Sequence, residues 1–268
     1  MFNKPIKTLI HQLIGLAVFF SALSIQAHTP YVAPLTFEPV MGNMASFDAA
    51  FAEHFFIAEK AFDNSEFQIT TPAGKTISPD SVTRLKTRVV IEHQLKDEGT
   101  YRLTTGARVG AEFYIYELEG KEKRAMDPKK PLPKGAKIKQ HFRSITRADT
   151  YISNKKPNNT ALKVEQIGLQ LLPLTNPNEV FAEEVFQLKL LHDGKPLSKH
   201  ELLAYPASTK NKPIPLAFES NKNGVIHVTL PQGKYLLRAR YRTPAPKNAK
   251  VPTYSHTTTL SLQVFENI

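Results

Sequence analysis

The sequence predicts an all-β protein built from two β-sandwich domains. Three observations predict it. Apolar residues alternate with period two along most of the chain, the alternating runs are short, and they end in Gly-, Pro-, Asn- and Asp-containing turns. Long stretches with amphipathic-helix spacing are hard to find.

The first segment, residues 1–27, reads as a cleavable secretory signal. Lys4 and Lys7 give a positive start, Leu13 to Ile25 (LIGLAVFFSALSI) is a short apolar run, and Ala27 is a small residue at a plausible cut. The run is short for a bilayer span, and a retained anchor is the alternative. The expectation is a periplasmic protein whose mature chain begins at His28, with no later stretch apolar enough to cross a membrane. The chain has no cysteine. Lipidation at a cysteine, thiol catalysis, Cys-based zinc sites and iron–sulfur clusters are therefore excluded, and stability must come from packed cores.

From His28 the strands follow in order. Residues 44–56 (MASFDAAFAEHFF) set Phe47, Ala49, Phe51 and Phe55 on one face of a strand. Glu66 to Thr71 runs into the turn Pro72-Ala73-Gly74-Lys75. Thr87, Val89 and Ile91 define another face, Asp97-Glu98-Gly99 turns the chain into Thr100–Leu103, and Ala111 to Leu118 follows. A Lys-rich region, Lys121 to Lys139, interrupts the strands as a loop. The polar Ser153 to Thr160 reads as the linker, dividing the chain into domains at 28–155 and 160–268. Beyond it come strands around Gln170–Asn176, Val185–Leu191, Gly224–Leu230, Tyr235–Tyr241 and Thr257–Phe265, with a turn at His192–Pro196. Gly99-Thr100-Tyr101 and Gly233-Lys234-Tyr235 each place a Tyr two residues after a turn glycine, as where a tyrosine pins a sandwich corner.

The formal charge of +11 falls to +9 once Lys4 and Lys7 are lost. A basic surface draws anions. The Lys121–Lys139 region has almost no interleaved aromatics to stack on bases, so nucleic acid is a poor fit, and contact with anionic envelope components suits it better.

Few arrangements carry chemistry. His200-Glu201-Leu202-Leu203-Ala204 opens like a zinc-protease helix but has Ala204 where the second His is required. There is no nucleophile elbow and no Gly-rich phosphate loop. Carboxylates such as Glu53 and Glu59 are scattered without a pairing, so the expectation is a non-enzyme. His28 stands out. As a mature first residue it would join an α-amine and an imidazole on one carbon, a chelate suited to nickel, cobalt, copper or zinc. A solvated, frayed terminus is the plainer alternative. Such a chelate needs further donors, and the candidates are His54, beside Asp48 on a strand face, His256, at the rim of the second core, and Glu53. His93 reads as a core-edge imidazole, His227 as exposed and His192 as a solvated turn residue.

A resemblance adds to this. Ala27 to Pro34 (AHTPYVAP), Ala45-Ser46-Phe47, Phe51 to Phe56 (FAEHFF), Gly99 to Arg102, Pro173 to Pro177 and His192 to Leu197 (HDGKPL) are similar to a bacterial periplasmic family of unknown function, often labelled a component of nickel or cobalt uptake. The resemblance covers nearly the whole mature chain. It implies an amino-terminal sandwich, an immunoglobulin-like or transthyretin-like carboxy-terminal domain, and a link to metal acquisition. Family members commonly begin their mature chain with His, as here at His28, but many follow it with an acidic or aromatic residue where this chain has Thr29-Pro30. The expected function is a non-enzymatic protein that binds or hands on a transition metal, with an envelope protein or transporter as partner. The alternative is an envelope adaptor whose paired sandwiches bind a protein or polysaccharide.

Overall fold

The structure is a computed structural model that describes residues 28–39, 43–62, 65–126, 129–208 and 214–267. The expected signal, residues 1–27, lies outside the described residues. In chain order the strands are β1 (Thr29–Pro34), β2 (Met44–Ala52), β3 (Lys60–Ala61), β4 (Gln68–Thr70), β5 (Thr76–Ile77), β6 (Ser81–Arg84), β7 (Val89–Gln94), β8 (Gly99–Thr104), β9 (Arg108–Leu118), β10 (Lys121–Ala125) and β11 (Lys137–Asn154). They continue with β12 (Leu169–Pro173), β13 (Phe186–His192), β14 (Lys195–Pro196), β15 (Glu201–Pro206), β16 (Leu216–Glu219), β17 (Val225–Val228), β18 (Gly233–Pro244) and β19 (Thr253–Val264). No helix occurs among the described residues.

The strands form three sheets, and the fold is all-β as the alternation predicts. A five-stranded sheet runs β1-β2-β7-β6, with β3 on β2. A ten-stranded central sheet runs β16-β15-β18-β19-β11-β8-β4-β5, with β9 and β10 joined to it through β11. A four-stranded sheet gathers β12, β14 and β17 around β13.

Each outer sheet buries its apolar side against the central one, which makes two sandwiches. In the first, Phe47 and Ile91 of the outer sheet meet Ile69, Leu103 and Ile152. In the second, Leu171, Phe186, Leu188 and Ile226 meet Leu237, Leu260 and Leu262. This second pair of antiparallel layers is the immunoglobulin-like arrangement expected for the carboxy-terminal half. A smaller cluster, including Tyr31, Ala50, Phe55, Tyr205 and Leu236, fills the space where β1 and β2 lie over β15 and β18. There Thr259 Oγ1 donates to the Pro30 carbonyl at 3.0 Å, and the Ser261 hydroxyl donates to that of Val32.

The halves share the central sheet. β11 pairs antiparallel with β8 on one side and parallel with β19 on the other. The polar stretch at Ser153–Thr160 connects β11 to β12 but is clasped: the Asn158 N–H donates to Thr100 Oγ1 at 3.1 Å, and Asn176 Nδ2 donates to the Asn158 carbonyl at 2.8 Å.

Local expectations fare variously. The Asp193–Gly194 turn takes positive φ at both positions, 48° and 73°, the backbone a two-residue hairpin between β13 and β14 requires. The tyrosine corner forms at Tyr101, whose hydroxyl donates to the Asp97 carbonyl at 3.1 Å and accepts the Asp97 N–H at 2.7 Å. Tyr235 instead joins the second core. Strand β2 ends at Ala52, not Phe56, because the chain turns there. The Lys121–Lys139 region is not simply a loop: β10 hairpins onto β9, and β11 begins at Lys137. Glu201–Ala204, the helix-like motif, lies in strand β15.

Candidate functional site

The register of β1 on β2 pairs Thr29 with Ala52, which sets His28 at the point where β2 ends. There the chain turns. The Ile57 N–H bonds the His54 carbonyl at 2.8 Å, and the Glu59 N–H bonds the Phe51 carbonyl at 3.2 Å. This reversal folds the Glu59 side chain back into the turn. Its Oε1 accepts the Glu53 N–H at 3.0 Å and lies 4.0 Å from His54 Nδ1. Its Oε2 lies 2.8 Å from His28 Nε2.

Two imidazoles, one from each strand at the same end of the β1–β2 pairing, thus flank one carboxylate. All three remain reachable from solvent, with side-chain exposures of 51% for His28, 37% for His54 and 31% for Glu59. Burial by itself would raise the Glu59 pKa. The Glu53 main-chain N–H, the charge of the neighbouring His28 ring and the His54 main chain outweigh it and hold the carboxyl below its usual value. Glu59 is therefore ionised at neutral pH and can accept a hydrogen bond from the His28 ring or face a cation.

The sequence-predicted residues divide. His28 and His54 come together. Glu53 contributes its main-chain N–H, and the central carboxylate is Glu59. His256 lies elsewhere: it alternates with Ser255 and Thr257, which face the His28 side of the central sheet, so its ring points to the opposite face. There it meets the His192 ring at 4.7 Å between centroids, and Thr243 Oγ1 lies 3.2 Å from its Nε2. His192 is accordingly no solvated turn residue; its Nε2 is buried without a hydrogen-bond partner. His93 is buried beside Tyr101, as expected of a core-edge imidazole, and His227 is exposed.

Imidazole nitrogens with a carboxylate oxygen make a donor set that suits nickel, cobalt, copper and zinc. Among the described residues no group of three or more His, Asp or Glu is already gathered to hold a metal ion. The cluster is two rings spaced by a hydrogen-bonded carboxylate, open on its solvent side. It lacks at least one donor of a closed shell.

Fold and site together define an all-β double sandwich with a histidine–carboxylate cluster at its first strand. Residues 25–243 match the DUF4198 model, a domain of unknown function, and the chain belongs to that family. No curated protein matches it. Among solved structures, a marsupial T cell receptor is similar over 90% of this chain and 73% of its own, at 10% identity and a TM-score of 0.22. The D0–D1 domain of intimin covers 87% of this chain and 97% of its own, at 9% identity and a TM-score of 0.19. The Bacillus anthracis TIE protein covers 90% and 56%, at 11% identity and a TM-score of 0.18. Scores of this size leave the fold to be argued from the chain's own strands. Among the described residues no helix is long and apolar enough to cross a membrane.

Proposed function

We propose that the protein is a periplasmic, non-enzymatic member of a metal-uptake system that binds or hands on a transition metal of the nickel or cobalt class. The observation that carries this reading is the meeting of His28 and His54 at Glu59, His28 being distant from the other two in sequence but brought to them by the β1–β2 register. Cleavage after Ala27 would add the α-amine of His28 as a further nitrogen donor on the same residue. The ion would then take the amine, the two imidazoles and the Glu59 carboxylate, displacing the protein's own His28–Glu59 hydrogen bond.

The site's exposure supports release as well as capture, which suits a carrier better than a buried structural metal. The second reading, an envelope adaptor, draws on the exposed lysines Lys121, Lys123 and Lys137 of the β9–β10–β11 arm.

The test is calorimetric titration of the mature protein with nickel and cobalt, before and after Glu59→Gln. That substitution keeps the side chain's size and removes its charge. The expected result is a loss of about 10–100-fold in affinity, the usual consequence of disturbing a metal's immediate surroundings. Unchanged affinity would remove Glu59, and this site, from the account.

A further inference from the structure

Beside the His28 cluster the five-stranded sheet stops while the central sheet runs on. The uncovered face forms a trough of about 540 Å³, continuous at His28, Phe51 and Phe113 with a second hollow of about 310 Å³. Volumes of this order accommodate small molecules.

The floor of the trough is set by strand register. Arg240 pairs with Thr257 and Thr257 with Thr146, which places a guanidinium and two hydroxyls in one row across β18, β19 and β11. Arg242, Ser255 and Ser144 make the next row. From the opposite side β10 contributes Arg124, whose guanidinium lies over the Phe113 ring at 3.9 Å, while that of Arg242 lies over Phe142 at 5.1 Å. Arg238, Arg240 and Arg242 occupy alternate positions of one strand and so share a face. Arg238 is covered by β1 and donates to Thr29 Oγ1 at 3.2 Å, whereas Arg240 and Arg242 are left open to the trough.

Three arginines converging on one hollow repel one another, and little opposes them. The groups acting on Arg240 are Arg238, Arg124 and Arg242, which push protons off it, and the Tyr205 hydroxyl; no carboxylate is among them. Loss of bulk water around its guanidinium in the hollow is the largest influence, although the side chain keeps solvent access, and together with the repulsion it brings the group down to about 10. Among the described lining residues Glu122 is the one carboxylate, and it sits at the exposed edge. Two donors are also left without partners: Thr146 Oγ1 and Arg124 Nε are buried and make no hydrogen bond. A concave surface holding uncompensated positive charge and unused donors is the arrangement that recognises oxyanions, because guanidinium groups match carboxylate and phosphate geometry.

We infer that this trough is a binding site for a small molecule carrying carboxylate or phosphate groups, held by Arg124, Arg240 and Arg242 with the hydroxyls of Thr146 and Thr257. His28 borders the trough, but the groups that hold the anion are the arginines and hydroxyls, so the inference stands whether or not His28 takes an ion.

The experiment is calorimetric titration of the mature, metal-free protein with citrate and, separately, with inorganic phosphate. It is repeated on Arg240→Gln, on Thr146→Val, and on Arg88→Gln as a control, since Arg88 pairs with Asp48 away from the trough. Saturable binding of either anion, weakened about tenfold or more by Arg240→Gln, reduced by Thr146→Val and untouched by Arg88→Gln, is the expected result. Citrate alone binding would assign the site to carboxylates, and phosphate alone to phosphates. Thr146→Val changes one buried hydroxyl, so it reads the site even if Arg240→Gln disturbs folding. Neither anion binding at millimolar concentration, or wild type and both trough variants binding alike, would overturn the inference.

Discussion

Arg102 shows what a single side chain contributes. It is 1% exposed on β8, donates to Asp149 Oδ1 at 3.1 Å and to Glu165 Oε1 at 2.6 Å, and so ties β8 to β11 and to the segment before β12. Removing one partner of such a pair leaves a charge buried alone, so Arg102→Ala is expected to cost about 3–5 kcal/mol in chemical denaturation. His256 makes an acid-sensitive contribution. Burial, with added repulsion from His192 and partly offset by Asp193, pushes its ring down to about 4. The unfolded chain therefore binds a proton there at a higher pH than the folded one does, and stability falls as pH drops from about 6.5 toward 4. The full effect is up to about 3 kcal/mol. Melting temperatures measured across that window should decline in the wild type and decline less in His256→Gln.

Strands differ in how visibly they announce themselves. β7 and β13, buried on one face and bordered by turn residues, alternate apolar and polar positions, and the sequence reading places both within a few residues. β11 escapes it, although it is the longest strand among the described residues and the joint between halves. Its first residues include exposed lysines, and its centre buries Arg147, Asp149 and Thr150, whose side chains reach the Ile167 carbonyl, Arg102 and the Ser261 carbonyl through tertiary contacts that no periodicity reveals. The site was half visible for the same reason. His28 and His54 carry chemistry in their residue types, but Glu59 is placed by a turn and a strand register that spacing does not reveal, while Glu53, next to His54 in sequence, offers only its main-chain N–H. The arginine trough did leave a signal, the alternation Arg238-Ala239-Arg240-Tyr241-Arg242, which in a strand puts three cations on one face.

At the scale of the molecule, one sheet runs through both sandwiches, and the β11–β19 pairing makes each half an edge neighbour of the other. Neither core can open without exposing strands that complete the other. Thermal unfolding is therefore expected as one cooperative transition in which calorimetric and van't Hoff enthalpies agree. Two resolved transitions would show halves that behave as independent domains. The same arrangement explains the placement of function. β1, held over β19 by bonds from Thr259 and Ser261, presents His28 beside the turn that carries His54 and Glu59.

The central claim is that a freed amine on His28 completes the cluster. The measurement that tests it most directly is nickel titration of protein beginning at His28 against protein carrying one additional alanine before it. The account predicts clearly tighter binding, by about tenfold or more, for the first form, with weakening in His54→Ala. Equal, weak affinity for both forms would contradict it.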